Sequence, residues 1–588
     1  MGATNPMELR AVRLEKIKEP RAPGKIKNLE ILEEKPMGTA FGRAIHSIGI
    51  VAKRAGTAAA ALFLAAGVGL CVAACSDKGS SSGFEEDSGT DTSSDIDVDT
   101  DTDSDTDTDS DSDTDTSNSG ELLWVSQAGG IGSDIGGSTS TFSDGSMIVS
   151  GNIGFMPATF GDGEPNETVL TPDDGALITP FNARYNADGT IEWANFGGGK
   201  VETLPDDSFL LVGGFNSEIV LGAGETNQTT LTTDDEGVFL ARYNPDGTLE
   251  WATNAASSPD HMVTSLTVFD SGESILAGSF GESAIFSEGT SNQITLTSPA
   301  FENLSEVYIA KYDQWGEVIW AKMAGGLESE GYPWLGVVSF PDGSSVITSG
   351  FCGSITFGEG EANETSFIAY DDPSDEISRD DIFIAKYNPN GTLAWAKREG
   401  GINGNATHAI SMHSDDSFVI GGRTWGSATF GLGEPNETTL MATYGENDPF
   451  LARYNPDGTL AWARLFSTGT GLTEIGDVTF TGDSSTFLTG HFTETTTFGA
   501  GQPNETVLTA QADDILVAKY NPDGILAWVK SAGSSTAQNI GNSVSVEGNY
   551  GVVTGFFGGN GVFSPGEPCE ISLSSYGQWD IFVAKYKL

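Results

Sequence analysis

An all-β fold built from one repeated unit is predicted by three observations. A strand motif recurs seven times: FNARY from Phe181, FLARY from Phe239, YIAKY from Tyr308, FIAKY from Phe383, FLARY from Phe450, LVAKY from Leu516 and FVAKY from Phe582. Six copies lead through a tight turn into a strand that carries Trp, as in NPDGTLAW to Trp462, and successive Trp residues from Trp124 to Trp528 are 69, 58, 69, 75, 67 and 66 residues apart. The chain stops at FVAKYKL, one strand short of a unit, while ELLWVSQAGG from Glu121 is an orphan copy of the missing strand. Four antiparallel strands per unit with this closure predict a seven-bladed β-propeller of four-stranded blades, the last blade completed by the strand of Trp124.

The turn NPDG explains itself: Pro presets φ, Asp or Asn bonds its own backbone, and Gly supplies the positive φ that follows, so the flanking strands form a hairpin. Along FIAKY, Phe, Ala and Tyr alternate with Ile and Lys, which places aromatics on one face and a mixed set on the other. Upstream of it lies a further strand, as in SFVIGG from Ser417, preceded by a short strand and a turn such as FPDG or HSDD. The last piece is an insertion: GDGEPNETVL from Gly161, GAGETNQTTL from Gly222, SEGTSNQITL from Ser287, GEGEANETSF from Gly358, GLGEPNETTL from Gly431, GAGQPNETVL from Gly499 and SPGEPCEISL from Ser564. Its Asn166, Asn227, Asn363, Asn436 and Asn504 match a glycosylation acceptor pattern, but their regular place points to a turn in which Asn and Thr side chains bond the local backbone.

The charge is partitioned. Residues 1 to 75 hold 11 basic and 6 acidic side chains, residues 76 to 120 one Lys and 16 acids, and residues 121 to 588 hold 16 basic and 61 acidic groups, within a total of -55 over 588 residues. A strongly acidic body is repelled by phosphate, so nucleic acid is excluded as a partner, whereas cations, basic proteins and uncharged glycans are compatible. Residues 1 to 75 end in GTAAAALFLAAGVGLCVAAC, an apolar run after Lys53 and Arg54 with the pattern of a secretory signal; Met37 would give it an ordinary basic leader. Residues 76 to 120 contain TDTDSDTDTDSDSDTDT, which cannot form a core and reads as a disordered, extended tether with room for loosely bound calcium. The expected domains are therefore signal 1–75, tether 76–120 and propeller 121–588.

Two resemblances add to this. Val72-Ala73-Ala74-Cys75 resembles the bacterial lipobox, which implies lipidation of Cys75 and a membrane anchor; Ser76 in the next position implies the outer membrane by the familiar sorting rule. The stretch FIAKYNPNGTLAWAKREGG resembles the SBBP-type seven-bladed propeller repeat of bacteria over roughly 121–588, with the FGxGExNET insertions and a short inner strand at GGGKVETLPDDS as departures. GTLAW also resembles the docking strand of the quinone-cofactor-type propeller repeat, whose group includes a lipoprotein scaffold for outer-membrane protein assembly, although eight blades are usual there.

No convergent catalytic set is legible. The body has four histidines, His261, His408, His413 and His491, and the five-residue spacing of His408 and His413 in one strand points them to opposite faces, against a shared metal. Cys352 and Cys569 fall at non-equivalent places of different units, which disfavours a disulfide. The repeated cation, Arg184, Arg242, Lys311, Lys386, Arg453, Lys519 and Lys585, reads as one local ion pair per unit. Long NET-bearing loops and Gly-rich links are expected on the rim opposite the tight turns, where Trp334, Trp425 and Trp579 depart from the repeat and form the candidate ligand rim; Trp315 lies in a tight turn on the other rim. The functional expectation is a lipid-anchored, monomeric binding or adhesion module for a glycan or protein, with no cofactor, no metal and no catalysis. An envelope-assembly scaffold and a propeller hydrolase or lyase are the alternatives.

Overall fold

The computed structural model describes residues 120–588 except 174, 259–261, 299–304, 328–334, 371–379, 402, 443–446 and 470. The expected signal with Cys75, the tether up to residue 119, Trp334 and His261 lie outside the described residues. Among the described residues there is no helix; the chain is all-β, in antiparallel sheets.

The first complete set runs Ile135–Thr141, Met147–Ile153, Thr179–Tyr185 and Ile191–Phe196, hydrogen-bonded in that order. The same order recurs along the chain, for example in Asn405–Met412, Phe418–Trp425, Asn447–Tyr454 and Leu460–Leu465. The first strands of successive sets, Ile135–Thr141, Lys200–Thr203, Met262–Val268, Gly336–Ser339, Asn405–Met412, Thr473–Phe480 and Ile540–Glu547, each pack on the next, and the last returns to the first. The strand at Lys200–Thr203 has only four residues, as GGGKVETLPDDS foreshadows.

The orphan strand lies where the repeat requires it. Leu122–Gly130 pairs antiparallel with Asp580–Lys587, Trp124 opposite Lys585 and Ala128 opposite Ile581. Gly120 completes the missing turn: its N–H donates to the Lys587 carbonyl at 2.8 Å, and its φ of 85° matches that of the turn glycines, such as Gly458 at 80°. The turn is thus reproduced by two segments that lie far apart in the sequence.

The FIAKY strand departs from simple alternation. In Asp381–Tyr387 every side chain except Lys386 is buried, because a third strand is covered by neighbouring sheets on both faces. A two-sided apolar run is the signature of such a strand. The Tyr rings at 185, 308, 312, 387, 454, 520 and 586 are among the largest fully buried groups.

Each insertion is a short hairpin that docks on the outer strand of the preceding sheet. Ala158–Phe160 pairs with Leu122–Gly130, Ser283–Phe286 with Leu249–Ser258, and Asn560–Phe563 with Leu526–Gly533. In two places it is continuous with the second and third strands, as in Thr486–Phe498 and Thr506–Tyr520.

Candidate functional site

Two ends of the ring follow from strand direction. On the turn side lie the connections from first to second and from third to fourth strand; on the loop side lie those from second to third strand and from the fourth strand to the next set.

The turn side is occupied by structural chemistry. The expected local ion pair is present in five copies: Arg184 with Asp144 at 3.0 Å, Arg242 with Asp206 at 2.6 Å, Lys311 with Glu273 at 2.9 Å, Arg453 with Asp415 at 3.4 Å and Lys519 with Asp483 at 2.9 Å. Lys386 instead lies over the Phe340 ring at 3.9 Å and Lys585 over Tyr550 at 5.1 Å. The cation also reaches the next set: Arg184 donates to the Pro245 carbonyl at 2.6 Å, and Lys585 to that of Ala187 at 3.2 Å. Trp joins it there. Trp462 and Arg453 both donate to the Pro522 carbonyl, at 3.0 and 3.2 Å, and Trp124 donates to Ala187 at 3.2 Å. These charge-assisted bonds, worth about 1.5–3 kcal/mol each when buried, latch one sheet to the next.

The turn Gly has a second reason beyond its φ. A Cβ at Gly458 would lie 2.4 Å from the Trp395 ring, at Gly524 2.9 Å from Trp462, and at Gly120 2.8 Å from Trp528. Each Trp packs flat under the turn of the following set, and only hydrogen fits between them.

The expectation for the NET loops is overturned. Their tips do not rise on the loop side; they fold down the outer edge to the start of the fourth strand, next to the tight turn. Glu361 accepts the Leu393 N–H at 2.7 Å, and Asn363 donates to the Leu393 and Ala394 carbonyls at 3.2 and 3.3 Å. Glu434 and Asn436 do the same at Leu460 and Ala461. The Thr and the Glu of the triplet bond locally: Thr365 donates to the Asn363 carbonyl at 2.9 Å, and Glu364 accepts the Gly360 N–H at 2.7 Å. Lys322 of the preceding outer strand reaches Glu361 at 2.8 Å, and Lys397 pairs with Glu434, so the insertion braces two neighbouring sets. Free edge groups and a Lys at the right height draw the hairpin against the sheet rather than into solvent.

The loop side is different. Large apolar side chains are exposed there: Ile131, Phe155, Leu177 and Ile178 at 63–76%, with Met441 at 67% and Tyr576 at 51%. Trp425 ends a second strand on this side and is 42% exposed. Trp579 is partly buried; its ring packs on Phe556 at 5.1 Å and its carbonyl accepts the Asp134 N–H at 2.9 Å, so it belongs to a junction between sets. Trp315 is 61% exposed in a turn on the other side.

Around the axis stands a polar group that no spacing along the chain could assemble. His408 Nδ1 faces the Ile475 carbonyl at 3.3 Å, Arg423 pairs with Glu474 at 2.9 Å, and His491 is opposite Glu474 in the ladder. Burial first, then the Arg423 charge, pushes the His408 imidazolium down to about 4. Further round, burial and Asp477 push Glu202 up to about 8. His413 is not in the strand with His408: that strand ends at Met412, and His413 opens the turn, 3.0 Å from Ser484 Oγ and 3.1 Å from Asp415. Among the described residues no three His, Cys, Asp or Glu side chains are grouped to hold a metal.

A repeated feature went unread. Two residues before the aromatic of the third-strand motif stands a buried acid: Glu306, Asp381, Asp448, Asp514 and Asp580, exposed by 8% or less. Asp381 accepts the Tyr370 N–H at 2.9 Å and the Gly401 N–H at 3.1 Å, tying two loop-side connections to the sheet. The signal was the column DIF, DPF, DIL, DIF, lost when the motif is read from its aromatic.

Strand order and repeats define a propeller-like repeat protein, and the comparisons agree. Residues 442–460 match a β-propeller family described as a domain of unknown function, DUF5122. The chain is 22% identical over 559 residues to an uncharacterized WD repeat-containing protein of Acanthamoeba polyphaga mimivirus, covering 79% of this chain and 38% of that one. It is 24% identical over 266 residues to the regulatory protein FlaEY of Caulobacter vibrioides, covering 44% of this chain and 26% of the other. The matched part therefore spans well under half of either relative. Among solved structures, puromycin hydrolase matches with a TM-score of 0.25 and 12% identity over 62% of this chain and 51% of that one. PorZ, a surface component of the type-IX secretion system of Porphyromonas gingivalis, matches with a TM-score of 0.16 and 9% identity over 76% and 75%. Neither score carries an argument.

Proposed function

We propose that the chain is a bacterial lipoprotein, anchored through Cys75 at the outer membrane or cell surface, whose seven four-stranded blades form a closed propeller that binds a glycan or protein without catalysis. The observation that carries this reading is the set of exposed apolar side chains on the loop side, Ile131, Phe155, Trp425 and Tyr576, on loops positioned by a rigid scaffold. The turn side has its repeated cations and Trp rings engaged in latches, and the NET insertions serve as braces, which leaves the loop side as the surface for recognition.

The test is a glycan-array and envelope pull-down screen of the intact protein, with Trp425→Ala and Phe155→Ser as variants. Saturable capture lost in these variants, with the melting temperature unchanged, is expected. Capture that survives both variants and is lost on mutating turn-side residues would overturn the assignment of the face. Turnover of a captured glycan would move the reading to the hydrolase or lyase class.

A further inference from the structure

The corner where the ring closes differs in charge from the Asp381 corner. At three corners a residue at the start of an inner strand or just before it donates its N–H to the carbonyl just before the buried third-strand acid: Asn405 to Asp380, Asn539 to Asp513 and Asp134 to Trp579, at 2.7, 3.1 and 2.9 Å. In the first two the side chain is an amide whose NH2 donates to loop carbonyls, Asn405 to Asn403 and Asn539 to Ala537, both at 2.9 Å. At the closure it is a carboxylate. At the Asp381 corner the outer strand also supplies Arg398, 3.5 Å from Asp381, three residues after Trp395. Three residues after Trp124 stands the uncharged Gln127, which donates to Asp580 Oδ2 at 2.6 Å. Relative to the Asp381 corner, the Asp580 corner lacks the Arg398 charge and gains the Asp134 carboxylate, while Trp579 replaces Asp380, so it is more negative by one charge.

Nothing described in the protein offsets this. Asp134 and Asp580 are both fully buried, and neither enters an ion pair among the described residues. Asp134 Oδ1 accepts the Gly154 N–H and Oδ2 the Gly130 N–H, at 2.9 and 2.8 Å, while Asp580 Oδ2 takes Gln127 and the Tyr576 N–H. Asp580 Oδ1 is buried without a well-formed hydrogen bond, and the Gly577 N–H also faces the carboxylate. That oxygen is aimed into a shared space: a Cβ on Gly129 would lie 2.9 Å from Asp580 Oδ1 and 3.0 Å from Asp134 Oδ2. The adjoining loop brings the Gly130 and Gly132 carbonyls to 2.5 Å from where a Cβ on Gly577 would stand, the Gly132 carbonyl accepting the Gln578 N–H at 3.0 Å. A buried unsatisfied oxygen calls for an explanation, and two facing carboxylate oxygens with nearby carbonyls are the donor type of a hard divalent cation.

We propose that Asp134 Oδ2 and Asp580 Oδ1 bind a divalent cation of the calcium type, which ties the last strand of the chain to the segment that follows its closing strand. This reading is independent of the lipid anchor and of the ligand on the loop side. The experiment is the thermal midpoint of the full-length protein, stripped with EDTA and then titrated with CaCl2, for wild type, Asp134→Asn and Gln127→Arg. The first variant installs the amide found at Asn405 and Asn539, the second the cation found at Arg398, so both keep a corner this fold already tolerates.

Wild type is expected to gain about 3 °C at a hundredfold excess of calcium over its Kd. Both variants are expected to lose that response while keeping the wild-type circular-dichroism spectrum. An unchanged wild-type midpoint with calcium, magnesium or manganese would overturn the proposal, leaving a water or a proton at Asp580. An equal gain in wild type and Asp134→Asn would also overturn it, because the cation would then be bound elsewhere.

Discussion

Gly458→Ala tests the inter-sheet packing of the turns, and Gly433→Ala is its internal control. Both glycines have φ of 80°, so both substitutions force an L residue into the left-handed region, at about 1–2 kcal/mol. They differ in space. A Cβ at Gly433 has no atom within 4 Å, whereas at Gly458 it falls 2.4, 2.8 and 2.9 Å from three ring atoms of Trp395. Trp395 is packed against the core and cannot swing clear without opening the contact between its sheet and the next. Overpacking of this kind adds about 1–3 kcal/mol. The expectation is a loss of about 1–2 kcal/mol for Gly433→Ala and about 2–5 kcal/mol for Gly458→Ala, read from urea unfolding followed by Trp fluorescence. Equal losses would refute the reasoning, since the conformational penalty alone would then account for both. A larger loss at Gly433 would mean that the insertion tips, not the Trp-under-turn stacks, hold neighbouring sheets together.

Asn436→Ala removes two bonds to the Leu460 and Ala461 carbonyls and should lower stability by about 1 kcal/mol, with no change in circular dichroism. The pH dependence is set by buried acids: Glu202 is pushed up to about 8, Glu399 and Asp580 to about 7 and Asp514 to about 6, with burial the largest cause in each. Their protons are held more tightly in the folded chain, so this stability is fully present below about pH 4 and is lost as pH rises toward 8. Asp415, drawn down to about 2 by its hydrogen bonds and His413, acts oppositely but has completed its change by about pH 5. In EDTA the urea midpoint should therefore fall between pH 5 and pH 8, and Glu399→Gln should flatten the fall; a midpoint that rises over this range would refute the assignment. Deleting residues 120–130 should expose the edges of Asp580–Lys587 and Ala158–Phe160 and produce soluble oligomers in size-exclusion chromatography.

The repeat made most of the architecture legible. Strand type, turn position, the closing role of Trp124 and the shortened strand at Lys200–Thr203 all followed from seven aligned copies, because local turn chemistry and period-two patterning act at short range. What escaped depended on contacts across more than one unit. Asn363 bonds a strand 30 residues on, and Lys322 meets Glu361 39 positions away, so no local signal could show that the NET loops fold inward as braces. The His408, Arg423, Glu474 and His491 group is assembled from adjacent sets, and no spacing in sequence encodes it. The acid at Asp381 and Asp580 was readable and missed: it is a column of the repeat, placed just outside the motif that the aromatic residues mark. Of the candidate rim, Trp425 is 42% exposed, whereas Trp579 is engaged at a junction, because its position beside Asp580 makes it part of the frame.

The split corner at Gly120 and Lys587 also sets an order of events in biosynthesis. Leu122–Gly130 is among the first parts of the folded body to be made, yet its main partner Asp580–Lys587 comes far later, and Gln127 meets Asp580 across 453 residues. Until that partner emerges, the early strand has only its short pairing with Ala158–Phe160, and both ends of the growing array present unpaired backbone. Closure of so long a loop is slow relative to the hairpins that form along the way. A ribosome stall or a proteolytic nick late in the chain therefore leaves an open arc with two adhesive ends, so the nascent protein depends on a holding factor for longer than its simple local folding would suggest.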